Sequence, residues 1–148
     1  MLKYFSELHL RKIEQCLRPN VDYFLKNAET SVMLRFVGID TSRHVILTIE
    51  ANKMPLKLVY NSGRSLSFYS TNMDKWLRIS GSGVLLDQQS IEGASKFEPL
   101  IGYDENDGFV LRSVQCWNNL FGACSRLFSE RICASMNKST KFNFLSVN

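Results

Sequence analysis

Cys116 is the side chain in this sequence with the strongest case for nucleophilic chemistry. It stands at the start of a segment with helical apolar spacing, and the N-terminus of a helix lowers the pKa of a thiol. A thiol nucleophile also needs a general base, but the two histidines, His9 and His44, both precede it and share no recognisable motif with it. The sequence therefore predicts a packed Cys116 and no catalytic centre.

Metal ligands and phosphate-binding residues are also poorly spaced. Cys116, Cys124 and Cys133 stand eight and nine residues apart with no histidine nearby, which is unlike a zinc site. The acidic segment 104–108 lacks the alternating acids and the distal glutamate of a calcium-binding loop. The glycines of segment 81–83 are not followed by the Gly-Lys-Ser/Thr of a phosphate loop. We expect no metal and no cofactor, and turns at both segments.

The cysteines and the N-terminal residues indicate a compartment. No Cys-x-x-Cys pair is present, which predicts reduced and partly buried thiols. Residues 1–10 contain Lys3, Glu7 and His9 among their apolar residues, unlike the hydrophobic stretch of a signal peptide. No window approaches the roughly 18 consecutive apolar residues of a membrane-spanning helix. We expect a cytoplasmic or nuclear protein without membrane insertion.

Composition and charge favour one folded domain over residues 1–148. The chain has 148 residues, of which 45% are hydrophobic and 22% charged, so it is too apolar to stay disordered. The formal net charge of +4 is unevenly distributed, because segment 87–107 contains six acidic residues and one lysine. This pattern predicts a basic body with an acidic loop at 87–107.

Apolar residues alternate with polar ones through the middle of the chain, as in strands that are buried on one face. The alternating segments pair into three predicted hairpins, 32–37 with 45–49, 56–60 with 66–69, and 76–79 with 84–86. Asn61-Ser62-Gly63-Arg64 and Gly81-Ser82-Gly83 supply turn residues. Such short links cannot contain parallel crossovers, so the predicted sheet is antiparallel.

Helical spacing is found at both ends of the chain. Segment 5–17 is predicted as an N-terminal helix, and Val21–Lys26 as a short second helix. In segment 113–136 apolar residues recur at intervals of mostly three and four, which predicts a long amphipathic helix. The last segment, 138–148, is either a final strand or a flexible tail. The predicted fold class is α+β, with five to seven antiparallel strands flanked by the two terminal helices.

The apolar stripe of the long helix suggests an interaction surface. One face of a small sheet need not cover the whole stripe, and interface anchors are often aromatic. We expect a non-enzymatic protein–protein interaction module that acts as an adaptor, an assembly factor or a subunit of an intracellular complex, as a homo- or heterodimer. The partner-binding residues predicted for it are Trp117, Leu120, Phe121 and Phe128.

Two other binding functions compete with this interpretation. Basic residues lie on or beside the predicted strands together with aromatic residues on which bases can stack, which is the pattern of a nucleic-acid-binding sheet. The residues assigned to that alternative are Arg64, Lys75, Arg78 and Tyr69. A helix packed on a curved sheet can also enclose a small apolar ligand, but no polar group in the sequence indicates where its head group would lie.

Overall fold

A computed structural model describes residue 13 and residues 16–36, 45–48, 54–101, 108–126 and 129–147. Twelve strands make up most of this part, and their pairings are antiparallel. In chain order the strands are β1 (Asp22–Asn27), β2 (Met33–Phe36), β3 (Val45–Thr48), β4 (Leu56–Tyr60), β5 (Leu66–Ser70), β6 (Lys75–Ser80), β7 (Gly83–Gln88), β8 (Phe97–Ile101), β9 (Phe109–Ser113), β10 (Asn119–Arg126), β11 (Ser129–Ser135) and β12 (Lys141–Ser146). Two short 3₁₀ turns cover Ser62–Arg64 and Ile91–Gly93.

Six of the strands form a closed cylinder. β1 pairs with β4, β4 with β5, β5 with β8, β8 with β9, β9 with β12, and β12 with β1. The other six form the hairpins β2–β3, β6–β7 and β10–β11, and β11 also pairs with β3 and β7. The hairpins therefore converge over one end of the cylinder. Closure leaves the cylinder strands without a free edge, which removes a common site of aggregation.

The twelve strands are three copies of one four-stranded unit, named here repeat 1 (β1–β4), repeat 2 (β5–β8) and repeat 3 (β9–β12). Each unit pairs its first and last strands through residues at the same relative position. The three pairs are Tyr23 with Leu56, Leu66 with Phe97, and Phe109 with Phe142. The first-strand members of these pairs are separated by two successive intervals of 43 residues. The chain thus has an internal repeat that the sequence analysis did not detect.

The core takes equivalent side chains from all three repeats. Leu34, Leu77 and Leu120, again 43 residues apart, each begin a hairpin and are each 1% exposed. Their carbonyl oxygens accept hydrogen bonds from backbone N–H groups that lead into the last strand of each repeat, at 3.0–3.2 Å. Burial of a leucine side chain contributes roughly 1.5–3 kcal/mol, so each repeat secures its own hairpin to the cylinder.

A buried polar side chain ends the first strand of every repeat. Asn27, Ser70 and Ser113 occupy equivalent positions and are at most 3% exposed. Each accepts hydrogen bonds from the turn that follows it, which satisfies a polar atom that would be costly to bury alone. The bonds run from Glu29 N to Asn27 Oδ1 (3.0 Å), from Met73 N to Ser70 Oγ (3.1 Å) and from Cys116 N to Ser113 Oγ (3.3 Å).

The same turns contain a left-handed residue four positions after the polar one. Ser31, Asp74 and Trp117 have φ angles of 61°, 53° and 59°. This region costs a non-glycine residue roughly 1–2 kcal/mol, so its occurrence in all three turns shows that the turn geometry is imposed by the fold. A different close approach occurs at Gly108, where φ is 99° and a Cβ would lie 2.7 Å from the carbonyl oxygen of Phe142.

The predicted α+β class is wrong, and its main error is the helix over 113–136. That segment forms the end of β9, a turn and the hairpin of β10 and β11. Leu120 and Ile132 face the core from neighbouring strands, and this two-strand arrangement imitates helical spacing. The positive φ at Trp117 and the irregular register between Gly122 and Cys124 are features of a turn and a β-bulge.

The predicted N-terminal helix lies mostly outside the described residues. Ile13 and Cys16 are helical, and the N–H of Leu17 donates to the carbonyl of Ile13 at 2.7 Å. The predicted short helix Val21–Lys26 is wrong, because β1 occupies it. Tyr23 and Leu25 are buried on alternate positions, as expected for a strand that pairs with β4 and β12.

The three predicted hairpins are confirmed as β2–β3, β4–β5 and β6–β7. The sheet nevertheless has twelve strands, and five to seven were predicted. The predicted acidic loop 87–107 contains β8, whose Phe97 is buried in the core, while residues 102–107 lie outside the described part. Within 138–148, the final strand is confirmed as β12.

Truncation of each equivalent leucine tests the threefold core. Leu34→Ala, Leu77→Ala and Leu120→Ala should each lower the free energy of unfolding by about 2–5 kcal/mol, because each leaves a cavity at a fully buried site. Urea denaturation measures this loss. Leu145→Ala, at an exposed position of β12, is the control and should change stability by less than about 0.5 kcal/mol. A Leu120→Ala variant as stable as the control would contradict the placement of β10.

Glycine at a left-handed position should stabilise the fold. Ser31→Gly removes a steric cost of roughly 1–2 kcal/mol and adds about 0.4–1 kcal/mol of chain entropy to the unfolded state, so a net gain of about 0.5–1 kcal/mol is expected. Thermal denaturation measures the change in Tm. The control is Thr30→Gly, which should destabilise because Thr30 Oγ1 accepts a bond from Val32 N. Equal destabilisation by both substitutions would exclude the strained turn.

Candidate ligand-binding site

A row of side chains crosses the outer surface of repeat 2 and of the adjoining strand β4 of repeat 1. Lys57 on β4 is the register partner of Tyr69 on β5, Tyr69 that of Trp76 on β6, and Trp76 that of Gln88 on β7. Directly opposed residues of antiparallel strands share a face, so the four side chains lie side by side. All four are half-buried, whereas Phe68, next to Tyr69 in the chain, points into the core. We call these four residues the aromatic row.

Two aromatic side chains form the middle of the row. The ring centroids of Tyr69 and Trp76 are 4.9 Å apart, with an interplanar angle of 49°. The hydroxyl of Tyr69 donates a hydrogen bond to Oδ1 of Asp74, the left-handed residue of the β5–β6 turn. This bond, together with burial and the carboxylate charge, raises the pKa of the Tyr69 phenol above its ordinary value of 10. The phenol therefore stays protonated through the physiological pH range and holds its ring beside Trp76.

A guanidinium–carboxylate pair lies next to the row. Nε and Nη2 of Arg78 each donate to one carboxylate oxygen of Asp87 at 2.8 Å, a bidentate geometry that raises the pKa of the Arg78 guanidinium. Asp87 is the extra residue of a β-bulge, because Trp76 pairs with Gln88 and Leu77 pairs with Leu86. A bulge re-aims side chains, and here Gln88 Nε2 also donates to Asp87 Oδ1 at 3.1 Å.

Gly93 leaves space for the side chain of Gln88. A Cβ at Gly93 would lie 2.0 Å from Oε1 of Gln88, so any larger residue would displace this amide. The amide is thus held between Asp87 and the 3₁₀ turn Ile91–Gly93. The row ends in a positioned hydrogen-bonding group, and its centre is an apolar aromatic surface.

Positive and negative charges around the row nearly balance. The cations are Lys57 within the row, Arg78 beside it, and Lys75 at the start of β6, whose register partner is the buried Ser70 on the other face of the sheet. The anions are Asp74, bonded to Tyr69, and Asp87, bonded to Arg78. Because two of the three cations stand beside carboxylates in the chain or in space, the surface is not strongly electropositive.

The equivalent rows of the other repeats have different chemistry. In repeat 1 the row is Asn143, Lys26, Met33 and Thr48, and in repeat 3 it is Glu98, Arg112, Asn119 and Ser135. Neither contains two aromatic side chains. Repeat 2 therefore carries an aromatic surface at a position where the other two repeats have different side-chain types.

The structure brings together part of the predicted nucleic-acid site. Tyr69 lies in the aromatic row, Lys75 lies at the start of β6, and Arg78 is held by Asp87. The side chain of Arg64 lies outside the described part of the chain. Sequence reasoning counted Lys57 among the basic residues of the nucleic-acid alternative but assigned no binding role to Asp74, Asp87 or Gln88, because their neighbours depend on strand register. The turn residues that set this register were the sequence signal from which these neighbours could have been predicted.

The structure separates the predicted partner-binding residues. Leu120 is buried in the core and cannot anchor a partner, so this assignment is wrong. Phe121 is half-buried with the Lys138 amine 5.4 Å from its ring centroid, Trp117 is exposed, and Phe128 lies outside the described residues. Because the long helix does not exist, nothing supports the adaptor or complex-subunit interpretation that was built on its stripe. A protein partner remains a prediction.

The cysteines and histidines were expected from the sequence to have no catalytic role. Cys16 and Cys116 are exposed free thiols, whereas Cys133 is disulfide-bonded, so the prediction that all thiols are reduced and partly buried is wrong. His9 and His44 lie outside the described residues. Within the described ranges no three His, Cys, Asp or Glu side chains are grouped as metal ligands. The same ranges hold no helix with the length and apolarity needed to span a membrane.

Replacement of Asp74 should lower the pKa of Tyr69. The hydrogen bond that raises the pKa of Tyr69 also stabilises the folded state. This contribution is complete below pH 10 and is lost as the pH rises through the folded-state pKa, because the phenolate cannot donate to a carboxylate. In Asp74→Asn the acceptor is uncharged, so the phenol should titrate closer to 10. Asparagine also suits the positive φ. A ¹³C NMR titration of tyrosine Cζ measures both proteins, and identical midpoints would contradict the assigned bond.

No protein-family model matches the sequence, and no curated protein matches it. Solved structures do match. The Rhizoctonia solani agglutinin has a TM-score of 0.67 and 15% identity over 86% of this chain and 96% of its own. Trypsin inhibitor 1 from Senna obtusifolia has a TM-score of 0.66 and 15% identity over 89% of this chain and 85% of its own.

The lysenin pore has a TM-score of 0.68 and 12% identity over 86% of this chain. Only 46% of the lysenin chain is covered, so this chain spans about half the length of that protein. Identities this low carry information on architecture alone. They agree with the closed cylinder, the three hairpins and the 43-residue repeat, and the fold of this chain is a β-trefoil.

Proposed function

We propose that this chain is a non-catalytic recognition module that binds a neutral glycan on the aromatic row of repeat 2. The observation that carries the proposal is the accessible pair of Tyr69 and Trp76, 4.9 Å apart, with hydrogen-bonding side chains at both ends of the row. Binding sites combine an apolar surface with a few placed polar groups, and the row has this composition.

The chemistry of a pyranose matches the row. One face of many sugar rings presents C–H groups, which pack on an aromatic surface, while the hydroxyl groups around the ring exchange hydrogen bonds. Tyr69 and Trp76 offer the aromatic surface. Gln88 offers an amide whose position is restricted by Gly93, and Lys57 offers an ammonium donor at the other end. These groups can orient a sugar through ring packing and hydrogen bonds alone.

Charge favours a neutral ligand over a nucleic acid. Phosphate contacts dominate the affinity of nucleic-acid-binding surfaces and require cations that are free to approach the backbone. Arg78 already holds Asp87 through two hydrogen bonds, and Asp74 places a carboxylate beside Tyr69. A phosphate chain laid on the row would meet both carboxylates.

Two further observations support the proposal. The Rhizoctonia solani protein of the same fold is described as an agglutinin. The disulfide at Cys133 is typical of oxidising compartments, where glycans of cell surfaces and secretions are encountered. This favours an extracytoplasmic site of action over the cytoplasmic or nuclear location expected from the sequence.

Removal of Trp76 should abolish most of the affinity. We expect the wild-type chain to select neutral oligosaccharides on a glycan array, with affinities measurable by isothermal titration calorimetry. Trp76→Ala should weaken binding at least tenfold, because loss of an aromatic anchor costs about 2 kcal/mol. Gly93→Ala should cause a smaller loss through displacement of Gln88. Trp117→Asn, which changes the other tryptophan of the chain, is the matched control and should bind as the wild type does.

Two results would overturn the proposal. One is the absence of glycan binding by a protein that is folded according to its circular dichroism. The other is submicromolar binding of single-stranded oligonucleotides at about 0.15 M salt that depends on Tyr69, Lys75 and Trp76, which would establish the nucleic-acid alternative.

A further inference from the structure

A second exposed surface lies on repeat 3, outside the aromatic row. Val114, Trp117 and Met136 are 42%, 59% and 71% exposed, which is unusual for large apolar side chains. Strand register brings the two turns that contain them together, because Asn119 pairs with Ser135 at the open end of the β10–β11 hairpin. We call these three residues the Trp117 patch.

Three cations lie on or beside the turns of the Trp117 patch. The guanidinium of Arg112 lies 5.4 Å from the Trp117 ring centroid, and the ammonium of Lys138, two residues after Met136, lies 5.4 Å from that of Phe121. The exposed Lys96 is held beside the turn, because its carbonyl accepts the Val114 N–H at 2.8 Å. Strand register places one acid, Glu98, opposite Arg112. Charge at this surface is therefore predominantly positive.

We propose that the Trp117 patch docks on the surface of an anionic lipid bilayer, with Trp117 and Met136 entering the headgroup region and the cations contacting lipid phosphates and carboxylates. Tryptophan has an apolar body and a polar N–H and is enriched at the membrane–water interface. Lysine and arginine next to such a residue are attracted by the negative surface potential of anionic lipids. The proposal does not depend on glycan binding by repeat 2.

Geometry favours a bilayer over a protein partner. The apolar residues lie in two turns, and more than half of the surface of Trp117 and of Met136 is exposed to solvent. A folded partner would need pockets matched to both, whereas a bilayer interface deforms around them. Trp117 is also held at positive φ in a turn fixed by the buried Ser113, so its position does not rely on a partner.

Tryptophan fluorescence with defined vesicles tests this surface. The chain has two tryptophans, so Trp76→Phe leaves Trp117 as the only reporter. With vesicles of phosphatidylcholine and phosphatidylserine, we expect a blue shift of Trp117 emission and co-sedimentation of both the wild-type protein and this variant. Pure phosphatidylcholine vesicles should give neither. The double variant Lys96→Gln/Lys138→Gln should bind anionic vesicles roughly tenfold more weakly or worse.

Apolar contacts are tested in the same co-sedimentation assay. Trp117→Asn/Met136→Ser should lose binding, and asparagine at 117 preserves the left-handed turn. The matched control is Val147→Ser, which changes an exposed apolar residue beside Asp22, at the opposite end of the cylinder strands. Anionic vesicles that neither shift Trp117 emission nor sediment the protein would overturn the proposal. An equal shift with poly-glutamate would also do so, because it would assign the patch to an acidic polypeptide.

Discussion

A buried hydrogen bond at the end of the first strand of each repeat determines the geometry of the surfaces described above. Asn27, Ser70 and Ser113 lie inside the closed cylinder, where an unpaired polar atom is expensive, so each bonds to the turn that follows. The turn consequently has the same length in all three repeats, and the second strand of each repeat pairs with the first in the same register. That register places Trp76 beside Tyr69 and leaves Trp117 exposed to solvent.

Sequence patterns predict what is local in this fold. Period-two alternation and turn residues correctly predicted three hairpins, because both partners of each lie within a short stretch of chain. The pairing of β1 with β12 joins strands more than one hundred residues apart, and alternation contains no information about it. A search for internal repeats in the sequence could have predicted this long-range pairing. Leu34, Leu77 and Leu120 recur at one interval, but loops and later strands of unequal length obscure the repetition elsewhere.

The failed helix prediction shows how two strands can imitate one helix. Leu120 and Ile132 are inward residues of β10 and β11, and Phe121 lies half-buried on the other face of β10. Apolar residues from both faces of a bulged hairpin then fall at intervals of three and four. Local chemistry favoured the hairpin, because Gly122 and the polar pair Asn118–Asn119 are poor helix formers. Their propensities were a better guide than the apolar spacing.

The aromatic row and the Trp117 patch differ because the repeats share one turn geometry but carry different side chains at its outward positions. Inward positions such as Leu34, Leu77 and Leu120 are apolar in every repeat, whereas the outward positions hold residues as different as Lys26, Tyr69 and Arg112. In repeat 2 the left-handed residue is an aspartate that bonds to its aromatic neighbour, and in repeat 3 it is a tryptophan that stacks with its basic neighbour. One turn geometry therefore creates a nearly neutral aromatic row in repeat 2. In repeat 3 the same turn creates a cationic apolar projection, so one scaffold presents two surfaces of different chemistry without any change in its core.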